Sequence, residues 1–64
     1  MKRRDLEKHL RKHGCELHHH GGDHDMWINM RNDEQTAVPR HAEIKFGLIC
    51  AICKQLDVPR PHGH

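Results

Sequence analysis

At 64 residues, with 34% apolar and 31% charged side chains, the chain holds at most one small domain with a modest core and a wet surface. A formal net charge of +2 and a pI near 8.6 suit an acidic partner, nucleic acid or an acidic protein, without requiring one. No apolar run is long enough to span a membrane, no apolar stretch follows the basic Met1-Lys2-Arg3-Arg4 as a signal peptide would need, and three cysteines, an odd count, read as reduced thiols of a cytoplasmic protein.

Asp5 to His13 reads as a first helix. Leu6 and Leu10 form an i, i+4 apolar pair, Glu7, Lys8, Arg11 and Lys12 cover the opposite side, and Gly14 stands at the usual stop position. Cys15 to His19 reads as a strand, with Cys15, Leu17 and His19 on one face and Glu16 and His18 on the other. Gly21-Gly22 makes a tight turn, and Asp25 to Met30 reads as a second strand. Its apolar stripe is Met26, Ile28 and Met30, with Asp25, Trp27 and Asn29 opposite. Arg31-Asn32-Asp33-Glu34 is a polar turn. Gln35 to Val38 reads as a third strand, closed by Pro39, which cannot donate to a ladder. Ile44, Leu48, Ile49, Ile52 and Leu56 then recur at helical spacing, giving a second amphipathic helix from Phe46 to Leu56, ended by Pro59 and Pro61. The order helix, three antiparallel strands, helix makes an α+β fold with both helices on one sheet face.

One histidine, His24, sits where the glycine turn meets the second strand. A histidine at a loop mouth can take or give a proton near neutral pH. In a chain with 9 histidines, a turn that merely precedes a histidine is the simpler reading of that position taken alone.

The pieces together carry a resemblance. The run from Leu6 through Gly14-Cys15-Glu16-Leu17, the turn Gly22-Asp23-His24, and the closing series Val38-Pro39-Arg40-His41, Glu43-Ile44-Lys45, Gly47 and Ile52-Cys53-Lys54-Gln55-Leu56 resemble the HicA family of bacterial toxins. The resemblance covers about Lys2 to Val58, so residues 1–58 are expected to form one HicA-like toxin domain and residues 59–64 a flexible tail. It implies a fold like the double-stranded-RNA-binding domain, cleavage of mRNA without a metal or other cofactor by a histidine after the glycine turn, and inhibition by a HicB-like antitoxin. Carried over by position, the catalytic histidine is His24. The chain departs from the family pattern in three places: Asp23 where serine is common, Cys15 where an apolar or aromatic residue is common, and Phe46-Gly47-Leu48 where Pro-Gly-Thr is common. Asp23 adjoins the proposed catalytic group.

The chemistry fits. RNA cleavage without metal uses the substrate's own 2′-hydroxyl as nucleophile, and a neutral imidazole can accept that proton. Asp23 or Asp25 can fix the ring's tautomer, although Asp25 alternates away from His24 on a regular strand. The leaving 5′-oxygen also needs a proton donor, for which His41, Lys45 and water are the candidates. For phosphate contacts the candidates are Arg40, His41 and Lys45 around the entry to the second helix, Arg3 before or at the first helix, and Lys12 near its end. Trp27 is expected either to stack on a base or to be buried against a partner protein or a loop.

Two other patterns invite metal. Cys50-x-x-Cys53 with His62 and His64 offers four zinc-type ligands, but the cysteines fit the apolar face of a helix and the tail spacing is not that of a finger, so a plain core helix is the expectation. His18-His19-His20 cannot all reach one ion from alternating strand faces. They are expected to line the groove near His24 or to bind nickel adventitiously. The alternatives to a nuclease toxin are a non-catalytic module of double-stranded-RNA-binding type, an inactivated toxin relative included, and a small zinc-stabilised interaction domain.

Overall fold

In a computed structural model, which describes residues 1–61, the pair Leu6 and Leu10 is fully buried and sets the inner face of α1 (Arg3–Lys12). The helix begins two residues earlier than its apolar pattern suggests. Lys2 is already fixed by a bridge to Glu43, and its carbonyl accepts from the Asp5 and Leu6 amides. It ends where Gly14 turns left-handed at φ 86° and donates to the Arg11 carbonyl, the stop expected of a glycine there.

Three strands follow, β1 (Cys15–His20), β2 (His24–Asn29) and β3 (Gln35–Pro39), in spatial order β1-β2-β3 with both pairs antiparallel. The chain closes with α2 (Phe46–Leu56), whose Ile49, Ile52, Cys53 and Leu56 are buried together with Ile44 just ahead of it. Both helices lie on one sheet face, and the core between them is Leu6, Leu10, Cys15, Trp27, Val38, Ile44, Ile49, Ile52, Cys53 and Leu56. Each fully buried aliphatic side chain of this set stabilises the fold by about 1.5–3 kcal/mol. The expected α-β-β-β-α architecture is therefore the observed one.

The sheet corrects the reading of its faces. Asp25, Trp27 and Asn29 are the buried residues of β2, while Met26 and Ile28 are only half-buried on the open face and Met30 is exposed. Side-chain hydropathy favours the Met26-Ile28-Met30 stripe. The pairing instead turns inward the residue with the most area to bury, Trp27, and finds hydrogen-bond partners for the two polar residues that share its face. Trp27, at 1% exposure, is thus a core residue and offers no face to a base. The Arg11 guanidinium lies 5.0 Å from its ring centroid, within cation–π range.

In β1 a register shift between Leu17 and His19 overturns the expected alternation. Leu17 pairs with Trp27, His19 with Met26 and His20 with Asp25, so His18 is the extra residue of a bulge. Leu17 faces the helices, His19 shares the open face with Met26, and His20 returns to the inner side. In α2, Leu48 is exposed and Cys53 takes its expected place in the core.

The ends of β2 and α2 are tied by a side chain. Asn29 donates from Nδ2 to the Leu56 carbonyl at 2.7 Å and accepts from the Arg31 amide at 2.9 Å. This satisfies one of the carbonyls that a helix C-terminus leaves unpaired. Asp57, left-handed at φ 59°, ends α2, and the Asp57 and Val58 amides donate back to Lys54 and Cys53. Beyond it, the Pro59 carbonyl bonds His9 at 2.7 Å and Pro61 is buried. The rest of the expected tail, residues 62–64, lies outside the described residues.

Candidate active site

The tip of the β1–β2 hairpin is a four-residue turn, closed by the Gly21 amide donating to the His24 carbonyl at 2.7 Å. Gly21 is required there by space: a Cβ would stand 2.6 Å from the His24 oxygen. Gly22 at the outermost point has open space around it. His24 follows as the first residue of β2, pairs with Pro39 and is exposed.

Behind the turn, one carboxylate organises two other side chains. Asp25 is buried, with 9% of its side chain exposed, and its Oδ1 accepts from Arg40 Nε at 2.8 Å and from His20 Nδ1 at 2.9 Å. An ionised carboxylate only accepts, so His20 carries its hydrogen on Nδ1 and leaves Nε2 free. The His20 hydrogen bond, then that of Arg40, holds the Asp25 carboxyl below its ordinary range, against the opposing effect of burial. Arg40 also donates from Nη2 to the Gly21 carbonyl at 3.0 Å, and its own amide donates to the Asp23 carbonyl at 3.3 Å. One guanidinium therefore braces the glycine turn against the end of β3, and among the described residues the Asp23 side chain takes no part in holding it. His24 thereby follows a turn that Arg40 braces, which puts in one region an imidazole and a cation of the kind that phosphodiester chemistry uses.

A family model described as the HicA toxin of bacterial toxin-antitoxin systems matches residues 3–58. The chain belongs to the HicA toxin family. No match is found among curated proteins or among solved structures. The match spans every helix and strand, so the HicA fold and the turn carrying His24 lie wholly within it. Of the three departures from the HicA pattern, Cys15 is buried in the core as an apolar residue would be, and burial raises its thiol pKa. Phe46-Gly47-Leu48 begins α2 behind Lys45, which gives no side-chain cap. Asp23 contributes its carbonyl to the brace, and its side chain is exposed.

The candidate contact residues fall in different places. Arg40 is brought to the turn. His41 and Lys45 are exposed on the segment between β3 and α2. Arg3 donates its amide to the Ala42 carbonyl of the same segment, and its side chain pairs with Glu7 at 3.5 Å. Lys12 lies at the other end of α1, on a cleft of about 520 Å³ shared with His9, His13 and Arg60. Desolvation, followed by the charges of His9, Lys12 and Arg31, lowers the pKa of His13 there. Among the described residues no group of three or more His, Cys, Asp or Glu side chains is gathered to hold a metal. Cys53 is a buried core thiol whose pKa burial pushes up to about 11, and the other two members of the zinc pattern, His62 and His64, are outside the described residues.

The sequence reading missed the pairing of His20 with Asp25. The signal was present: once Gly21 to His24 is taken as the turn, antiparallel pairing sets residue 20 opposite residue 25. The bulge hid it, because strict alternation from Cys15 turns His20 toward the open face.

Proposed function

We propose that this HicA-family toxin is an endoribonuclease that cleaves mRNA without a metal, with His24 as the base that accepts the proton of the substrate's 2′-hydroxyl. The observation that supports this most directly is the exposed His24 on a turn braced by Arg40, itself held by a buried carboxylate. A solvent-facing imidazole on a braced turn meets the requirement of proton abstraction for reach, and the neighbouring guanidinium supplies charge for a phosphate. Arg40 Nη1 makes no hydrogen bond among the described residues and is available for that contact. Lys45, His41, Arg3 and Lys12 would contact the RNA backbone beyond the scissile phosphate.

A HicB-like antitoxin is the partner that we propose as the off-switch. The open sheet face beside the turn carries His18, His19 and His24, which an acidic protein surface would complement while shielding the site from RNA. In the complex His24 should lose its solvent exposure. A complex that leaves it fully exposed would rule out occlusion as the means of inhibition.

The test is to induce the wild-type and His24→Ala chains in separate cultures and follow growth and mRNA integrity. Arrest with mRNA loss in the wild type alone is expected. If neither chain affects growth or mRNA, the assignment fails in favour of a non-catalytic RNA-binding module.

A further inference from the structure

The reaction assigned to His24 leaves one requirement unmet. When the phosphorus–oxygen bond to the 5′-carbon breaks, the departing alkoxide is a poor leaving group unless it receives a proton. Resting on the endoribonuclease reading above, we propose that His20 is the second catalytic residue, the acid that protonates the leaving 5′-oxygen while Asp25 orients it.

Four observations converge on His20. Its Nδ1 is committed to the Asp25 carboxylate at 2.9 Å, which fixes the ring's orientation and presents Nε2 outward. Its side chain is 66% exposed while its carboxylate partner is buried, so the reactive edge is accessible and the anchor is not. Asp25 also holds Arg40, whose guanidinium reaches the Gly21 carbonyl at 3.0 Å, so the cation and His20 share one carboxylate behind the turn that carries His24. Finally, the register places His20, paired with Asp25, and His24, paired with Pro39, on opposite faces of the hairpin tip. An in-line displacement needs its base and its acid on opposite sides of phosphorus. The proposal requires that a phosphate seated beyond Gly22, where the surroundings are open, meet one imidazole from each side.

The step balances. The 2′-hydroxyl gives its proton to His24, and its oxygen forms a bond to phosphorus. The bond from phosphorus to the 5′-oxygen breaks, and that oxygen takes the Nε2 proton of His20, which enters the reaction doubly protonated and keeps its Nδ1 hydrogen on Asp25. The products are a 2′,3′-cyclic phosphate and a 5′-hydroxyl, with His24 protonated and His20 neutral until both exchange with water.

The deciding experiment compares two versions of an RNA oligonucleotide, one natural and one with sulfur replacing the bridging 5′-oxygen at the cleaved linkage. A thiolate leaves without protonation, so the acid becomes dispensable while the base does not. Expected for His20→Gln is a loss of about 10²–10⁴-fold on natural RNA, with cleavage of the sulfur-bridged RNA close to wild type. His24→Ala should lose both. Trp27 fluorescence melts verify that each variant is folded. A folded His20→Gln chain that cuts natural RNA at the wild-type rate, or that loses both substrates equally, overturns the assignment of the acid while leaving His24 in place. A wild-type chain that cuts neither substrate overturns the endoribonuclease reading and this inference with it.

Discussion

Replacing Asn29 by alanine removes the partner of two backbone groups at once. The Leu56 carbonyl loses its 2.7 Å bond from Nδ2 and the Arg31 amide loses its 2.9 Å bond to Oδ1, at a site only 2% exposed. A stranded buried polar group costs about 1–3 kcal/mol. The Leu56 loss falls at the low end, because Asn32 Nδ2 still reaches the same oxygen at 3.3 Å. The Arg31 amide is only partly buried and can recover some of its loss from water. Together they amount to about 2 kcal/mol, against roughly 3–10 kcal/mol for the whole fold at this length. Trp27 is the sole tryptophan and is buried, so its fluorescence reports unfolding without a label. With a urea slope of about 1 kcal/mol/M, the Asn29→Ala midpoint should fall by about 2 M with the slope unchanged. A shift under about 0.5 M would refute the reasoning, because it would mean that α2 docks without this side-chain tie.

Three further outcomes follow from the same geometry. Gly21→Ala should lower both the melting temperature and RNA cleavage, since its Cβ would sit 2.6 Å from the His24 oxygen. Gly22→Ala, with nothing within 4 Å, should keep the wild-type melt. The depressed pKa of Asp25 stabilises the folded state fully above the ordinary carboxylate range, and that stability is lost as pH falls through the folded value. Acid titration of the melting temperature should therefore show a drop below about pH 4 that Asp25→Asn flattens. An unchanged profile would mean that the carboxylate is not held as described. In thiol titration of the native protein, half-exposed Cys50 should label first. Cys15 and Cys53, buried and with raised pKa values, should wait for unfolding, and simultaneous labelling of all three would contradict the core.

The helices were legible because their signals are local. Leu6 and Leu10 with Gly14 behind them, and the aliphatic spacing up to Leu56, identify both elements, and α2 has the bounds its spacing predicts. The turn at Gly21-Gly22 and the strand end at Pro39 were legible for the same reason. The inward face of β2 was not. Its orientation depends on groups distant in sequence: Arg40 for Asp25, and Leu56 for Asn29. Without those partners a hydropathy reading must turn Asp25 and Asn29 outward, and Trp27 goes with them. The candidate site divides in the same way. His24 was legible through its place after the turn and the family resemblance. The Asp25 anchor was not, because it needs both the inverted face and the bulge at His18.

The inverted face also links correct folding to chemistry. Slipping β2 by one residue would turn Trp27 out to water and swing His24 inward, and it would part Asp25 from both of its partners. A chain in the wrong register would thus lose its largest core residue and its reactive turn in a single error. Chains that misfold in this way would expose Trp27 to chaperones and proteases and would lack the proposed RNA-cleaving turn. If the proposed function holds, the hairpin acts as its own proofreader: the registration that buries Trp27 is also the one that presents the proposed catalytic histidine.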